Sequence, residues 1–152
     1  MQKNRAIYAM AFALSLTFGT VVARAADQTA AGVWEQVNEK TGQAQSTITI
    51  VRSGPAYVGT VTSIYPQPGR PVDPVCGKCE GSLKNRPVKG LQIINGMQQQ
   101  GSQYTGGTIL DPESGSVYNA TMQLSDDGRH LTVRGYIGIP TFGRSQTWNR
   151  LK

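Results

Sequence analysis

Apolar and polar positions alternate with a period of two from residue 32 to the C-terminus, and turns rich in Gly, Pro and Asp interrupt the pattern. Turn signals that recur about every ten residues are typical of an all-β sandwich or barrel. Eight segments carry the pattern: 32–37, 46–52, 56–65, 90–94, 102–110, 116–124, 130–137 and 145–151. No segment after residue 25 has a helical periodicity.

The alternation also predicts which side chains share a face of the sheet. In segment 116–124, one face holds Tyr118, Ala120, Met122 and Leu124. The other face of that segment is mostly polar, and segment 130–137 divides in the same way, as half-buried strands do. Antiparallel strands of this kind can close into a barrel, which removes exposed edges. The predicted fold class is therefore all-β, an antiparallel barrel of about eight strands.

The N-terminus has the features of a secretory signal peptide. A basic start is followed by a charge-free apolar stretch at 6–22 and by the small-residue site Ala-Arg-Ala at 23–25. We therefore expect residues 1–25 to be removed and residues 26–152 to form a single barrel domain, periplasmic or secreted. An uncleaved N-terminal anchor is the alternative, and no later segment is apolar enough to cross a membrane.

Removal of the signal peptide changes the charge of the chain. The formal net charge falls from +6 to +3, because three of the basic residues lie in residues 1–25. The remaining basic residues are scattered, whereas a nucleic-acid-binding surface is a dense basic patch with interleaved aromatic residues. We therefore expect neither a nucleic-acid partner nor a stable membrane anchor.

Several ordered motifs resemble a known bacterial family. They are GVW at 32–34, NRPVKGLQI at 85–93, YTGGTILDP at 104–112, LTVRGYIG at 131–138 and RSQTWNR at 144–150. In this order and spacing the chain resembles the exported family catalogued as domain of unknown function 2147. The resemblance implies a lipocalin-like (calycin-like) barrel and no established activity. We expect no cofactor.

The resemblance to lipocalins also suggests how the barrel is closed. The opening Gly32-x-Trp34 and the late Arg150 look like the lipocalin arrangement in which a first-strand tryptophan packs beneath the barrel and an arginine lies over it. A guanidinium stacked on an indole is favourable by roughly 0.5–2 kcal/mol. Trp34 and Arg150 are therefore expected to close the barrel.

Cys76 and Cys79 are the two cysteines of the chain, in the spacing Cys-x-x-Cys. This spacing fits a redox-active dithiol, half of a zinc site or a small structural disulfide. A thioredoxin-type pair lies at the start of a helix, and no helix is predicted after Cys79. Zinc would need two more ligands, and the one histidine is His130. We predict a structural disulfide that pins residues 66–87 as a lid-like or flap-like loop beside the barrel, with the redox and metal interpretations as alternatives.

Other polar residues give no catalytic constellation. His130 is expected to be exposed at the start of a strand. The acidic residues at 111, 113, 126 and 127 precede glycines and are interpreted as turn formers. No catalytic residue, metal site or reaction follows from the sequence, so an enzymatic function is left open. The apolar segment 137–143 is expected at the mouth of the barrel. A buried structural loop is favoured there over a gate for a ligand or a contact with a partner.

A pocket is the remaining candidate site. Four residues are predicted to line it: Trp34, Tyr118, Met122 and Trp148. They could enclose a small apolar or amphipathic ligand, or they could simply fill the core. The leading interpretation is a periplasmic or secreted lipocalin-like protein that binds a small hydrophobic ligand. The alternatives are a filled barrel that acts through its surface, as an envelope interaction or stress protein, and a thiol-redox protein that uses Cys76 and Cys79. The sequence does not indicate a protein partner.

Overall fold

Eight antiparallel strands form a closed barrel in the computed structural model, which describes residues 28–152. The strands are β1 Gly32–Val37, β2 Ala44–Ser53, β3 Ala56–Ile64, β4 Gln92–Gln100, β5 Gln103–Asp111, β6 Ser116–Leu124, β7 His130–Tyr136 and β8 Arg144–Arg150. Each strand pairs with the next in the chain, and β8 pairs with β1. The predicted fold class is confirmed. The predicted signal peptide, residues 1–25, lies outside the described residues.

The period-two pattern decides which side chains enter the barrel. In β6 the side chains of Ala120, Met122 and Leu124 are buried, whereas Val117 is exposed on the outer face. The neighbouring strand β7 buries Leu131 and Val133 in the same way. Apolar side chains of all eight strands meet in one continuous core inside the barrel.

Strand β4 differs from the prediction. The pattern predicted a strand over 90–94, but the strand starts at Gln92 and continues to Gln100. Two features hid the extension: the run Gln98–Gln100 has no alternation, and Gly96 has a φ of 69°. At this point β4 passes so close to β5 that a Cβ on Gly107 would clash with the backbone of β4. A glycine at such a bend breaks the apolar pattern without ending the strand.

The barrel has two different ends. The closed end holds the start of β1, the end of β8 and residues 28–31, which precede β1. The mouth end holds the longest connections, at 65–91 and 137–143, and each of them contains one short 3-10 turn. In the described part of the chain, no helix has the length and apolar character needed to cross a membrane.

Candidate functional site

Trp34 and Arg150 lie together at the closed end of the barrel. Trp34 is fully buried, and the guanidinium carbon of Arg150 is 4.2 Å from the centroid of its ring. The indole Nε1 of Trp34 donates a hydrogen bond of 2.8 Å to the carbonyl of Ala30. The two residues face each other because they are paired across the β1–β8 seam. This is the position that the lipocalin resemblance implied for them.

Arg150 also holds the segment that precedes β1. Its guanidinium donates hydrogen bonds to the carbonyls of Gly128 (2.5 Å), Ala31 (2.9 Å) and Thr29 (2.6 Å). Burial lowers the pKa of Arg150, since its contacts are carbonyls and an aromatic face. The arginine therefore serves as a fixed multidentate donor that fastens residues 29–31 across the end of the barrel.

Tyr104 completes this closure. Its hydroxyl accepts a hydrogen bond of 2.7 Å from the backbone N–H of Ala30, and its ring packs edge-on against Tyr57 with centroids 5.0 Å apart. Burial raises the pKa of the Tyr104 phenol. The pattern in segment 102–110 could have revealed it, because Tyr104 is an aromatic residue at an alternating position, but its partner in the N-terminal segment is not readable from the sequence.

Three of the four predicted pocket residues fill the half of the barrel next to the closed end. Trp34, Trp148 and Met122 are 0%, 1% and 2% exposed. They pack in the core with other fully buried side chains, namely Ile48, Ile94, Met97, Tyr104 and Leu131. This half of the barrel is therefore a packed core built from large side chains.

The fourth predicted residue, Tyr118, lies in the other half. It is one of six inward-facing residues at the mouth end, which we call the mouth cup: Gln36, Ser46, Ile64, Ile109, Tyr118 and Gln146. Five of them are only half-buried, although their side chains alternate in phase with fully buried core residues. Water therefore reaches the inner wall of the barrel from the mouth.

One wall of the mouth cup is polar and organised by hydrogen bonds. The Ser46 hydroxyl donates to Oε1 of Gln36 over 2.8 Å, and Nε2 of Gln36 donates to Oε1 of Gln146 over 2.8 Å. The buried indole Nε1 of Trp148 donates to the same Gln146 oxygen over 3.2 Å. These residues come from β1, β2 and β8. The two amides are thus held in fixed orientations at the top of the packed core.

The facing wall of the mouth cup is apolar. Ile109 of β5 pairs directly with Tyr118 of β6, and Gly135 of β7 lies beside them. A Cβ on Gly135 would come within 3.2 Å of the Ile109 side chain and 3.4 Å of that of Tyr118. In a closed meander of eight strands, β5 lies opposite β1. The mouth cup therefore places an amide wall across from an aliphatic and aromatic wall.

Cys76 and Cys79 form a disulfide in the long connection 65–91, which we call the disulfide loop. Their Cα atoms are 5.3 Å apart, and the two residues are 0% and 1% exposed. Backbone hydrogen bonds from Cys76 to Arg86 and from Asn85 to Cys76 fold the loop back on itself. These buried sulfurs, away from the N-terminus of an α-helix, lack the solvent exposure and the helix dipole of a reactive pair. The arrangement is that of a structural clasp.

The disulfide loop packs on the outside of the barrel. The Cys76 sulfur lies 3.4 Å from the carbonyl oxygen of Pro112, in the turn between β5 and β6. Arg70 forms an ion pair with Glu113 of the same turn. Leu110 points outward from β5 and is nevertheless buried in the cluster that contains both cysteines. The loop thus lies beside the barrel wall, where the sequence analysis placed it.

The expectation that no helix follows Cys79 needs one correction. A single 3-10 turn, Gly81–Leu83, starts two residues after Cys79. In this turn the N–H of Leu83 donates a hydrogen bond to the carbonyl of Glu80, and the N–H of Lys84 donates to that of Gly81. A turn of three residues contributes none of the dipole that activates a thiol at the start of an α-helix.

The other polar candidates occupy turns and strand ends. Asp127 accepts hydrogen bonds from the Ser125 hydroxyl (2.6 Å) and the Arg129 N–H (2.9 Å), which lower the pKa of its carboxyl. Asp111 accepts from the Glu113 N–H in the same manner. His130 is exposed and its Nδ1 lies 3.1 Å from the side-chain oxygen of Asn149. These contacts are those of turn formers and of a surface histidine.

The segment 137–143, which we call the apolar loop, differs from the expectation. It was predicted as a buried structural loop, but Ile137, Ile139 and Phe142 are 74%, 56% and 79% exposed. The physical reason is the hydrogen bonding of Arg134, which points outward from β7. It donates to the carbonyls of Pro140 and Thr141 and so draws the loop to the outer face of the strand.

Two shallow clefts that the sequence did not predict lie at the closed end. They have volumes of about 470 and 400 Å³ and share a wall made of Arg52, Tyr57, Gln99 and Gly101. Both are open to solvent, and their linings combine polar side chains and glycine with apolar surface. The Tyr57 hydroxyl is already paired with Oε1 of Gln99. The clefts border the packed core at Tyr57 and Leu124, and none of their lining residues belongs to the mouth cup.

Comparisons with known proteins agree with this architecture. The family model described as "Uncharacterized protein conserved in bacteria (DUF2147)" matches residues 32–150. Among solved structures, the chain is similar to HP1028 from the human pathogen Helicobacter pylori, which is described as belonging to the lipocalin family. The TM-score is 0.67 at 18% identity, over 80% of this chain and 82% of that chain. No curated protein matches the chain.

Proposed function

We propose that this chain, which belongs to the bacterial family DUF2147, is an exported lipocalin-like protein that binds a small amphipathic molecule in its mouth cup. The observation that carries the proposal is the contrast along the barrel axis. The inward-facing side chains of the closed half are buried, whereas five of the six side chains of the mouth cup are only half-buried. Ligand sites combine apolar side chains with a few fixed polar groups. The mouth cup supplies both kinds, since three of its residues are apolar or aromatic and three are polar and hydrogen-bonded.

The two walls define the class of ligand. An apolar moiety would pack against Ile109 and Tyr118, and a hydroxyl, amide or carboxyl head would meet the amides of Gln36 and Gln146. The mouth cup contains no charged side chain, so orientation would come from hydrogen bonds and not from an ion pair. An eight-stranded barrel has room for at most one small molecule, and here the packed core limits how deep that molecule could lie. A short amphipathic ligand therefore fits better than a long-chain lipid.

Export is the second part of the proposal. It rests on the basic and apolar N-terminus, the small-residue site at 23–25, and a disulfide, which persists in oxidising compartments. The mature chain, purified from its own host by osmotic shock, would have the mass of residues 26–152 with both thiols oxidised. A mass that includes residues 1–25, or two reactive thiols, would contradict export with cleavage.

Blocking the mouth cup tests the binding site. The variant Gly135→Val places a branched side chain between Ile109 and Tyr118, inside the cup. We expect it to weaken the binding of an apolar fluorescent probe at least about tenfold, since it removes the space for an apolar group. The wild-type protein should also carry a small molecule in native mass spectrometry after mild purification from its host, and the variant should not.

A matched control adds bulk on the outside of the same wall. Val117 is 60% exposed on the outer face of β6, so Val117→Leu should leave probe binding unchanged. Circular dichroism and the urea midpoint show whether Gly135→Val remains folded. If the folded variant binds the probe as the wild type does, or if the wild type neither binds a probe nor carries a ligand, the mouth cup is not the binding site.

A further inference from the structure

We infer that the apolar loop, residues 137–143, is a docking site for an anionic lipid surface. This inference does not depend on a ligand in the mouth cup, because the two sets of residues are different. Three large apolar side chains of the loop, Ile137, Ile139 and Phe142, are more than half exposed. Exposed apolar clusters of this kind mark interaction sites with proteins or membranes.

Hydrogen bonds fix the backbone of the loop, and its apolar side chains project into solvent. Arg134 donates to the carbonyls of Pro140 (2.6 Å) and Thr141 (3.0 Å) and to the hydroxyl of Ser145 (2.8 Å). Gly143 passes so close to β7 that an added Cβ would lie 2.6 Å from the carbonyl oxygen of Gly135. Two hydrogen bonds to loop carbonyls, one to the Ser145 hydroxyl and a close strand contact thus keep the loop backbone against the barrel wall, with its apolar side chains turned to solvent.

The charge around the loop favours an anionic partner. Residues 130–149, which include β7, the apolar loop and most of β8, contain two arginines and no aspartate or glutamate. These arginines, Arg134 and Arg144, flank the loop on β7 and β8, and Arg144 is exposed. Each basic residue near an anionic membrane strengthens binding by about 1 kcal/mol, which corresponds to about fivefold in affinity.

The shape of the site selects a bilayer over a protein surface. The apolar side chains project outward from the wall of the barrel, and a protein partner would need a preformed groove to receive them. Lipid rearranges around such a projection, and side chains of this type lie favourably at the boundary of head groups and acyl chains. The loop is at the mouth end, so docking would bring the opening of the barrel close to the lipid surface.

The test is vesicle binding by the mature, oxidised chain. Vesicles of phosphatidylglycerol and phosphatidylcholine are compared with vesicles of phosphatidylcholine alone in a co-sedimentation assay. We expect binding to the anionic vesicles, loss of at least about tenfold in affinity for the double variant Ile137→Ser/Phe142→Ser, and loss of about fivefold for Arg144→Gln. High salt should weaken the wild type and affect Arg144→Gln less.

Val51 supplies the matched control. It is 48% exposed at the closed end of the barrel, so Val51→Ser removes an exposed apolar group without touching the loop and should bind as the wild type does. Absence of vesicle binding by the wild type, or equal binding by the double variant, would overturn the inference. Self-association would also overturn it. If sedimentation velocity showed that the wild type self-associates, that the double variant does not, and that vesicles do not disrupt this association, the loop would contact a second copy of the chain.

Discussion

The closed half and the mouth half of this barrel are built from the same eight strands, yet their interiors differ. In the closed half, inward-facing Trp34, Trp148 and Met122 are within 2% of complete burial. In the mouth half, Gln36 and Tyr118 occupy equivalent inward positions and are half-exposed. A barrel of this kind therefore concentrates its packing in one half of the interior and leaves inward-facing side chains of the other half accessible to water.

The largest expected difference between the halves comes from truncating one aromatic residue in each. Trp34→Ala removes a fully buried ring and its contact with Arg150, and we expect it to lower the free energy of unfolding by about 3–5 kcal/mol. Tyr118→Ala should cost about 1 kcal/mol, since part of its ring already contacts water. Urea denaturation of the two variants measures both values. Equal losses would mean that the two halves are packed alike.

A smaller effect, with a pH dependence, is expected at Tyr104. In Tyr104→Phe the buried N–H of Ala30 loses its acceptor, which costs about 1–3 kcal/mol at neutral pH. Because the pKa of Tyr104 is raised above 10.0, the folded state favours the neutral phenol. Its stabilising effect is fully present below pH 10.0 and is lost as the pH rises through the folded-state pKa.

The urea midpoint at neutral and alkaline pH measures both parts of this prediction. The wild type should lose more stability than Tyr104→Phe when the pH is raised above 10.0. Tyr136→Phe is the control, because Tyr136 points outward from β7 and should leave the neutral-pH stability unchanged. An identical alkaline response in wild type and Tyr104→Phe would show that the phenol is not buried in the closed half.

The smallest effect on stability is expected in the polar wall of the mouth cup. Gln36→Met removes the hydrogen bonds to Ser46 and Gln146, but water can replace them at a half-exposed site. We expect a loss of about 0.5–1 kcal/mol in the free energy of unfolding, together with weaker binding of ligands that carry a polar head. If Gln36→Met lowered the free energy of unfolding as much as Trp34→Ala is expected to, the mouth half would be part of the packed core and would not form a cup.

The sequence was sufficient for the architecture and for part of the site. Alternation predicted the segments 32–37 and 116–124 without error, and the placement of Trp34 with Arg150 followed from the resemblance. The sequence could not show that Trp148 is a core residue and Tyr118 a mouth-cup residue. Both are aromatic residues on inward faces, and they differ only in their distance from the mouth of the barrel. Gln36 and Gln146 were missed because amides at inward positions look like breaks in an apolar pattern.

The exposure of the apolar loop could not be predicted for a similar reason. Its composition is that of a core segment, and burial would be the usual expectation for Ile137 and Phe142. The structure places these side chains in solvent because Arg134 holds the backbone of the loop to the outside of β7. That contact joins residues that are six and seven positions apart across a turn, and no periodic pattern records it.

The β1–β8 seam has a consequence for folding. It has three registered residue pairs, in which Trp34, Glu35 and Gln36 face Arg150, Asn149 and Trp148. One side-chain hydrogen bond across it joins residues 110 positions apart, whereas most other strand pairs are joined by short turns. Closing so long a loop carries the greatest entropic cost of any strand pairing, so we expect the seam to form last. Since the same three residues of β1 reach from the arginine closure to the amide wall, the final step of folding assembles both ends of the barrel at once.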